Sequence, residues 1–319
     1  MSSGPARNAY RSIRDRILAR VFDAAALWAV RQEPSRASRV GQQLGTAAYQ
    51  LLATERDRAA AHLALAFPNL TDDERDRLAL EAFRHLGENL VEILRIVGGG
   101  GNDLIESVRW IHREKLQEAA SRGRGVILVT GHCGNWELLG AATVAAGFPL
   151  TVVARGMKDP ALEARAAELR SKSRMATAIR DTPGASRNLL GALRSGGCLG
   201  MLIDQDIDAE GAFVPFFGRP AWTATGAALL AVRRGTPFVP ILTRRTGNGR
   251  HEIEVFDEIA PPPGADHEEA AIHLTSRATA VIEGWIRKTP EQWVWMHRRW
   301  KRERSIPATE PLSLVGSAP

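Results

Sequence analysis

His132 and Glu137 stand in the segment 131–137, which has the sequence GHCGNWE. The segment follows a β-branched apolar run at 126–130 that is typical of a buried strand, and it opens a predicted helix. Sites in α/β proteins gather where strands end. A turn can return Glu137 to the imidazole, fixing the tautomer so that the other ring nitrogen accepts a proton from an alcohol. The spacing predicts a general base, which is worth about 10²–10⁴-fold in rate.

Three other interpretations of this segment remain open. A histidine and a glutamate at a helix N-terminus can simply stabilise that terminus. Cys133 offers a thiol nucleophile for a hydrolase, although adjacent side chains in an extended strand point to opposite faces. A metal-dependent hydrolase would gather His132, Glu137, Asp204 and Asp206, but the sequence has no H-E-x-x-H or cysteine cluster. We therefore predict no metal.

Polar residues also follow two later predicted strands. Arg155 comes after the strand at 150–154, and its planar guanidinium suits a phosphate. Asp204, Gln205 and Asp206 come after the strand at 198–203. They are candidates for orienting Arg155 or the hydroxyls of an acceptor. A surface salt bridge for Arg155 and a solvated loop for the two acids are the alternatives.

Two segments, one in each terminal part of the sequence, combine basic residues with tryptophan. Residues 10–31 form a predicted basic amphipathic helix, which either lies in a membrane interface or packs on its own domain. Residues 293–302 combine three tryptophans with basic side chains. This run either holds anionic headgroups or forms a helix whose tryptophans pack in the core.

The pattern of elements predicts an α/β fold, a largely parallel mixed sheet flanked by helices, with an N-terminal helical extension. The extension covers 1–103, and within it Thr71 and Glu74 form a capping box. The α/β domain covers 104–305, and a disordered tail covers 306–319. Two further predictions are an edge strand at 251–256 and a helix at 221–234.

The composition of the chain favours some classes of binding partner and disfavours others. The 319 residues are 44% hydrophobic and carry a net charge of +6, which favours anionic partners. Nucleic acid is not predicted, because no helix-turn-helix, finger or RNA-binding signature is present. No stretch reaches the roughly 20 apolar residues of a spanning helix, so any membrane contact is expected to be peripheral.

Several motifs resemble those of one enzyme family. The segment 131–140, GHCGNWELLG, resembles the H-x-x-x-x-(D/E) motif of glycerolipid acyltransferases. More narrowly, it resembles the lipid A late acyltransferases of the lauroyl/myristoyl-transferase type. Further blocks agree in order, and the resemblance covers roughly residues 50–302: AFP at 66–68, VAR at 153–155, GMLIDQD at 200–206, FVPFFG at 213–218 and PEQWVWMHRRWK at 290–301. Cys133 departs from the aromatic residue that is common there, and we expect no counterpart of the family's usual N-terminal transmembrane anchor.

The resemblance implies an O-acyltransferase of lipid A and lipopolysaccharide biosynthesis. His132, oriented by Glu137, would deprotonate a lipid hydroxyl, which attacks the thioester of an acyl-carrier protein or of coenzyme A. Backbone N–H groups near Gly134 and Asn135 would bind the oxyanion. No cofactor beyond the thioester is implied. The expected acceptor is a lipid A precursor, with a lysophospholipid or a phosphatidylinositol mannoside as the alternative. The expected location is the cytoplasmic face of the inner membrane, at an anionic lipid surface.

Overall fold

The computed structural model describes residues 20–156, 160–180, 182 and 184–302. The first half of the predicted amphipathic helix and the predicted tail lie outside these residues. The helices are α1 (20–30), α2 (Pro34–Leu51), α3 (Ala53–Ala66), α4 (Asp72–Val97), α5 (Asn102–Glu106), α6 (Arg113–Ser121), α7 (Trp136–Ala145), α8 (Pro160–Lys172), α9 (Ala185–Arg194), α10 (Gly226–Arg234) and α11 (His267–Lys288). None of the helices in this part of the chain has the length and apolar composition needed to cross a membrane.

Seven strands form the main sheet, in the order β1-β9-β8-β2-β5-β3-β4. All neighbouring pairs are parallel except β8 with β9. Helices flank the sheet, so the predicted fold class is confirmed. The strands are β1 (Arg109–Ile111), β2 (Val126–Thr130), β3 (Leu150–Arg155), β4 (Ala176–Arg180), β5 (Cys198–Leu202), β8 (Phe238–Arg245) and β9 (His251–Val255).

Two predictions about secondary structure are wrong, one for a strand and one for a helix. β9 lies between β8 and the three-residue β1, so the segment predicted as an edge strand is internal. The predicted helix at 221–234 begins only at Gly226, because β6 (Gly211–Phe216) and β7 (Arg219–Ala224) form a separate antiparallel hairpin. Within that hairpin the rings of Phe213 and Trp222 pack edge to face across the pair, with centroids 5.2 Å apart. This cross-strand contact stabilises strand over helix in an alanine-containing segment.

The N-terminal helices pack directly on the α/β sheet. The capping box of α4 is confirmed, since Glu74 N–H donates to Thr71 Oγ1 and Thr71 N–H donates to the Glu74 carboxylate. α2 and α4 approach so closely that a side chain at Gly87 would meet the backbone oxygen of Gly41 at 2.1 Å. Leu63 of α3 and Phe83 of α4 share one buried cluster with residues of the sheet. The boundary at residue 103 stays a prediction, but the helices before it are part of the core that supports the site.

The described part of the amphipathic segment has two faces. Ala26 and Ala29 of α1 are buried in a cluster with Val91 and Leu94 of α4. Val21 and Leu27 face solvent, with 61% and 53% of their surface exposed. α1 therefore packs on its own domain through these alanines and the partly buried Phe22 and Trp28, while Val21 and Leu27 point outward.

Candidate active site

The loop between β2 and α7 places His132 at the carboxyl edge of the sheet. β2 and β5 are parallel neighbours with Thr130 opposite Leu202, so the residues that follow the two strands emerge side by side. Gly131 leaves space for this approach, since a Cβ there would lie 2.9 Å from Asp204 Oδ2. Gly134 has φ +56° and a Cβ would lie 2.5 Å from the Thr243 carbonyl oxygen. The loop conformation thus requires glycine at both positions.

Asp204 is the carboxylate that orients His132 in the structure. His132 Nδ1 lies 2.7 Å from Asp204 Oδ1, and the His132 backbone N–H donates to Oδ2 over 2.6 Å. Trp293 Nε1–H also donates to Oδ2, over 2.7 Å. Burial alone would raise the pKa of Asp204, but the neighbouring His132 and the three N–H donors hold that pKa below its usual range. The carboxylate therefore stays ionised and fixes the imidazole with Nδ1 protonated and Nε2 free.

Glu137 does not occupy the position that the sequence predicts for it. Asn135 caps α7 through its side-chain oxygen, which accepts from Leu138 N–H at 3.1 Å. At the second residue of the helix, Glu137 Oε1 lies 3.0 Å from Nη2 of Arg170 on α8, and both side chains are mostly buried. The expectation that Glu137 holds the imidazole is therefore corrected, because parallel strand pairing brings Asp204 to Nδ1. Glu137 instead ties the start of α7 to α8.

The other predicted site residues have separate roles. Asp206 accepts from the backbone N–H and Nη1 of Arg302, at 2.8 and 2.7 Å, and is buried, so it does not face a substrate. Arg155 is exposed at the end of β3, two strands from β2, where binding of an anion stays a prediction. Gln205 lies against His132, with its Nε2 atom 3.1 Å from the ring Nε2 atom.

A buried polar network that includes residues of α4 holds the loop between β2 and α7. The sequence did not predict this network. Asn89 Nδ2 donates to the Gly134 carbonyl over 2.7 Å, and Asn135 Nδ2 donates to Glu92 over 2.8 Å. Glu92 is ion-paired with Arg245, and His251 Nε2 lies 3.0 Å from it. Burial opposes ionisation of Glu92, yet Arg245 and His251 lower its pKa overall. α4 is remote in sequence from the loop that it supports. The only signal of this role in the sequence is that Asn89 and Glu92 interrupt the apolar stripe of α4.

The backbone donors predicted for the oxyanion are partly used by this loop. Gly134 N–H donates to the Gln292 carbonyl oxygen over 2.8 Å, which corrects its predicted role as a donor. Asn135 is 1% exposed and its side chain is bonded to Glu92 and to the helix start, so that side chain is a structural group, while a role of its backbone N–H stays a prediction.

The C-terminal run of tryptophans and basic residues is divided between the core and the surface, where Arg298 and Lys301 are exposed. Trp293 and Trp295 are buried, as the second sequence interpretation expected, but the segment forms a short 3₁₀ turn and bends rather than a helix. Arg299 is fully buried and donates to the Trp222 carbonyl oxygen and to Thr223 Oγ1, at 2.6 and 2.7 Å. These three residues support the site from inside and do not bind headgroups.

The hydrolase alternatives lack the required geometry. Cys133 is 2% exposed, and burial, followed by the charge of Asp204, raises the pKa of its thiol. Asp206 and Glu137 are engaged by arginines away from His132. Across the described ranges, no three histidine, cysteine or acidic side chains gather into a possible metal site.

A pH dependence of stability follows from uncharged histidines near the site. Burial lowers the pKa of His85 to about 3, and burial together with the neighbouring His132 lowers that of His297 to about 4. In the unfolded chain both would protonate near pH 6.5. The unfolded state then binds more protons than the folded state. The free energy of unfolding should therefore decrease as the pH is lowered from 6.5 to 4.5, by about 1.4 kcal/mol per pH unit for each such histidine. Urea unfolding curves at several pH values measure this, and a flat profile would contradict it. His297→Asn should reduce the slope.

Comparisons with known proteins identify the family of this chain. Residues 10–302 match the family model described as bacterial lipid A biosynthesis acyltransferase. The chain is 28% identical to the lipid A biosynthesis lauroyltransferase of Escherichia coli K12, over 88% of this chain and 91% of the relative. It is 28% identical to the palmitoleoyltransferase of the same organism, over 82% and 84%. A phosphatidylinositol mannoside acyltransferase of Mycolicibacterium smegmatis is 26% identical, over 66% and 67%. With a strand-end histidine held by a buried carboxylate and a match over most of its length, the chain is an O-acyltransferase that belongs to the bacterial lipid A biosynthesis acyltransferase family.

Proposed function

We propose that this chain transfers a fatty acyl group from an acyl thioester to a hydroxyl of a lipid A precursor, with His132 as general base. The observation that carries the proposal is the contact of His132 Nδ1 with the buried carboxylate of Asp204. It leaves Nε2 as the free base on a side chain that keeps 16% of its surface exposed. The names of the two Escherichia coli relatives support lipid A as the acceptor class.

The proposed reaction proceeds through a tetrahedral intermediate. Nε2 of His132 takes the proton of the acceptor hydroxyl as its oxygen attacks the thioester carbonyl carbon. Asp204 stabilises the imidazolium that forms. When the carbon–sulfur bond breaks, the imidazolium returns the proton to the departing thiolate. The co-substrate is the thioester of an acyl-carrier protein or of coenzyme A, and the residues named here need no bound cofactor.

A phosphatidylinositol mannoside is the second candidate acceptor, and the pair of His132 and Asp204 would act on its hydroxyl in the same way. The Mycolicibacterium smegmatis relative is named a phosphatidylinositol mannoside acyltransferase, and it covers two thirds of this chain. Both acceptors offer a hydroxyl near phosphate groups. Arg155, exposed at the end of β3, would bind such a phosphate through its guanidinium. The net charge of +6 suits an acidic carrier protein as the donor.

Product identification tests the proposed function. Purified chain is incubated with labelled acyl-carrier protein or acyl-coenzyme A and a panel of lipids: a lipid A precursor, a phosphatidylinositol mannoside and a lysophospholipid. We expect mass spectrometry to show one added acyl chain on the lipid A precursor, dependent on His132. Acylation of the mannoside alone would transfer the assignment to the second candidate. Release of free fatty acid without any acylated lipid would contradict transfer.

We also propose that the chain works as a peripheral protein at the cytoplasmic face of the inner membrane. The outward face of α1 supports this, since Val21 and Leu27 are exposed there beside the exposed Arg20 and Arg31. Exposed apolar side chains flanked by arginines suit an interface that contains anionic lipid.

Substitutions on α1 test this contact. The double variant Val21→Ser/Leu27→Ser should bind vesicles of anionic phospholipid about tenfold or more weakly, because each apolar side chain contributes up to about 1.5–3 kcal/mol on burial. Ile272→Ser is a matched control, since Ile272 is 38% exposed on α11 and should not affect binding. Vesicle sedimentation measures both. Equal binding of the double variant and the unaltered chain would contradict a role for α1.

A further inference from the structure

The side-chain amide of Gln205 lies between two imidazole rings beside the free nitrogen of His132. Its Nε2 atom is 3.1 Å from Nε2 of His132 and 2.5 Å from Nδ1 of His297. The two rings are 4.6 Å apart and nearly perpendicular. All three side chains are only partly buried. The amide therefore borders the space that the reacting hydroxyl must enter to reach His132.

The hydrogen-bond partners orient this amide. Nδ1 of His132 holds its proton for Asp204, so Nε2 of the same ring is an acceptor. Burial keeps the pKa of His297 at about 4, so its ring is uncharged at neutral pH and offers an acceptor nitrogen as well. Two acceptors require the NH₂ end of the amide, which has two N–H donors. One N–H is held by His297, while the other donates to Nε2 of His132 at the edge of the reaction space.

The reaction needs a donor at this position. Attack on a thioester carbonyl places negative charge on the carbonyl oxygen, and the Gly134 N–H already donates to the Gln292 carbonyl oxygen. The attacking oxygen and the oxyanion are bonded to one carbon, so their partners must lie close together. Nε2 of His132 and Nε2 of Gln205, 3.1 Å apart, satisfy that requirement.

We propose that the Gln205 amide donates a hydrogen bond to the oxyanion of the tetrahedral intermediate and that His297 positions this amide. The inference rests on the proposed acyl transfer. The acceptor oxygen forms a bond to the carbonyl carbon, its proton moves to Nε2 of His132, and the carbonyl π electrons move onto the oxygen that Gln205 contacts. On collapse the carbon–oxygen double bond is restored, the carbon–sulfur bond breaks, and the thiolate takes the proton from His132. Gln205 exchanges its resting contact with His132 for one with the oxyanion.

Gln205→Met tests the catalytic role of the amide. Methionine keeps the length and approximate volume of the side chain but removes the N–H donors. We expect kcat for transfer from acyl thioester to fall by about 10²–10³-fold, the usual loss for an oxyanion donor, with KM for both substrates nearly unchanged. A kcat close to that of the unaltered chain, or a loss confined to KM, would overturn the proposal.

Variants at position 297 test the positioning role by a different readout. His297→Ala should lower kcat by about tenfold, the worth of one neutral hydrogen bond, and His297→Asn should restore most of it because its side-chain oxygen can replace Nδ1 as acceptor. In the Gln205→Met background, His297→Ala should have no further effect on kcat. Additive losses, or no recovery with asparagine, would contradict a role through Gln205. If Gln205→Met does not fold, the kcat values of His297→Ala and His297→Asn still test the proposal.

The same assays separate this inference from the proposed function. If the unaltered chain transfers acyl groups and His132→Ala does not, an active Gln205→Met variant removes only the oxyanion role. If the unaltered chain transfers no acyl group to any lipid of the panel, both the proposed function and this inference are overturned.

Discussion

Asp204→Asn should lower kcat for acyl transfer by about 10³–10⁴-fold, the loss expected when a catalytic histidine is held in the wrong tautomer. Two N–H groups, from the His132 backbone and the Trp293 indole, donate to Oδ2 of Asp204. In the variant these donors select the amide oxygen, which leaves the NH₂ group facing Nδ1 of His132. Nδ1 must then accept, the ring proton moves to Nε2, and the base is blocked. Steady-state transfer to the lipid acceptor measures the effect.

Glu137→Gln is the matched control for this prediction. It removes a charge of the same sign from the same loop and helix region, but it leaves Asp204 on Nδ1 of His132 because Glu137 contacts Arg170. We expect it to weaken the contact between α7 and α8 and to retain at least about ten times the kcat of Asp204→Asn. A smaller loss in Asp204→Asn than in Glu137→Gln would show that the wrong carboxylate has been assigned.

Replacing His132 by alanine should remove about 10²–10⁴-fold of the transfer rate. The fold should survive, because Asp204 keeps its bonds to the His132 backbone N–H and to Trp293. Single-turnover transfer from a labelled thioester measures the chemical step, and a thermal melt confirms the fold. Added imidazole should recover part of the rate by entering the vacated space. Near-normal turnover in a folded variant would exclude His132 from the reaction.

The sequence was sufficient to locate His132 but not its partner. A buried β-branched strand followed by glycines and a histidine is a local signal, and the structure confirms that strand and the helix after it. The partner depends on strand order, because Asp204 reaches His132 only when β5 lies beside β2. Glu137 is near in sequence, yet the direction of α7 carries it to Arg170. Nearness along the chain was therefore a poor guide to nearness in the site.

Other differences have the same physical origin. Arg299, Trp293 and Trp295 resemble an interfacial basic patch in composition, but tertiary packing buries them. The β6–β7 hairpin was missed because alanine-containing segments favour helix locally, while pairing between the strands decides the outcome. By contrast, the capping box at Thr71 and Glu74 and the buried strand at 126–130 were confirmed. Their signals are contained in the residues themselves.

The tautomer of His132 is the most direct test of the central claim that Asp204 prepares this histidine as the base. Nitrogen-15 NMR of imidazole-labelled protein, with the signals of His132 assigned by difference from His132→Ala, reports which ring nitrogen carries the proton. In the uncharged ring, we expect a proton on Nδ1 and a bare Nε2, unchanged in Glu137→Gln and reversed in Asp204→Asn. A proton on Nε2 in the unaltered chain, or a reversal in Glu137→Gln alone, would contradict it.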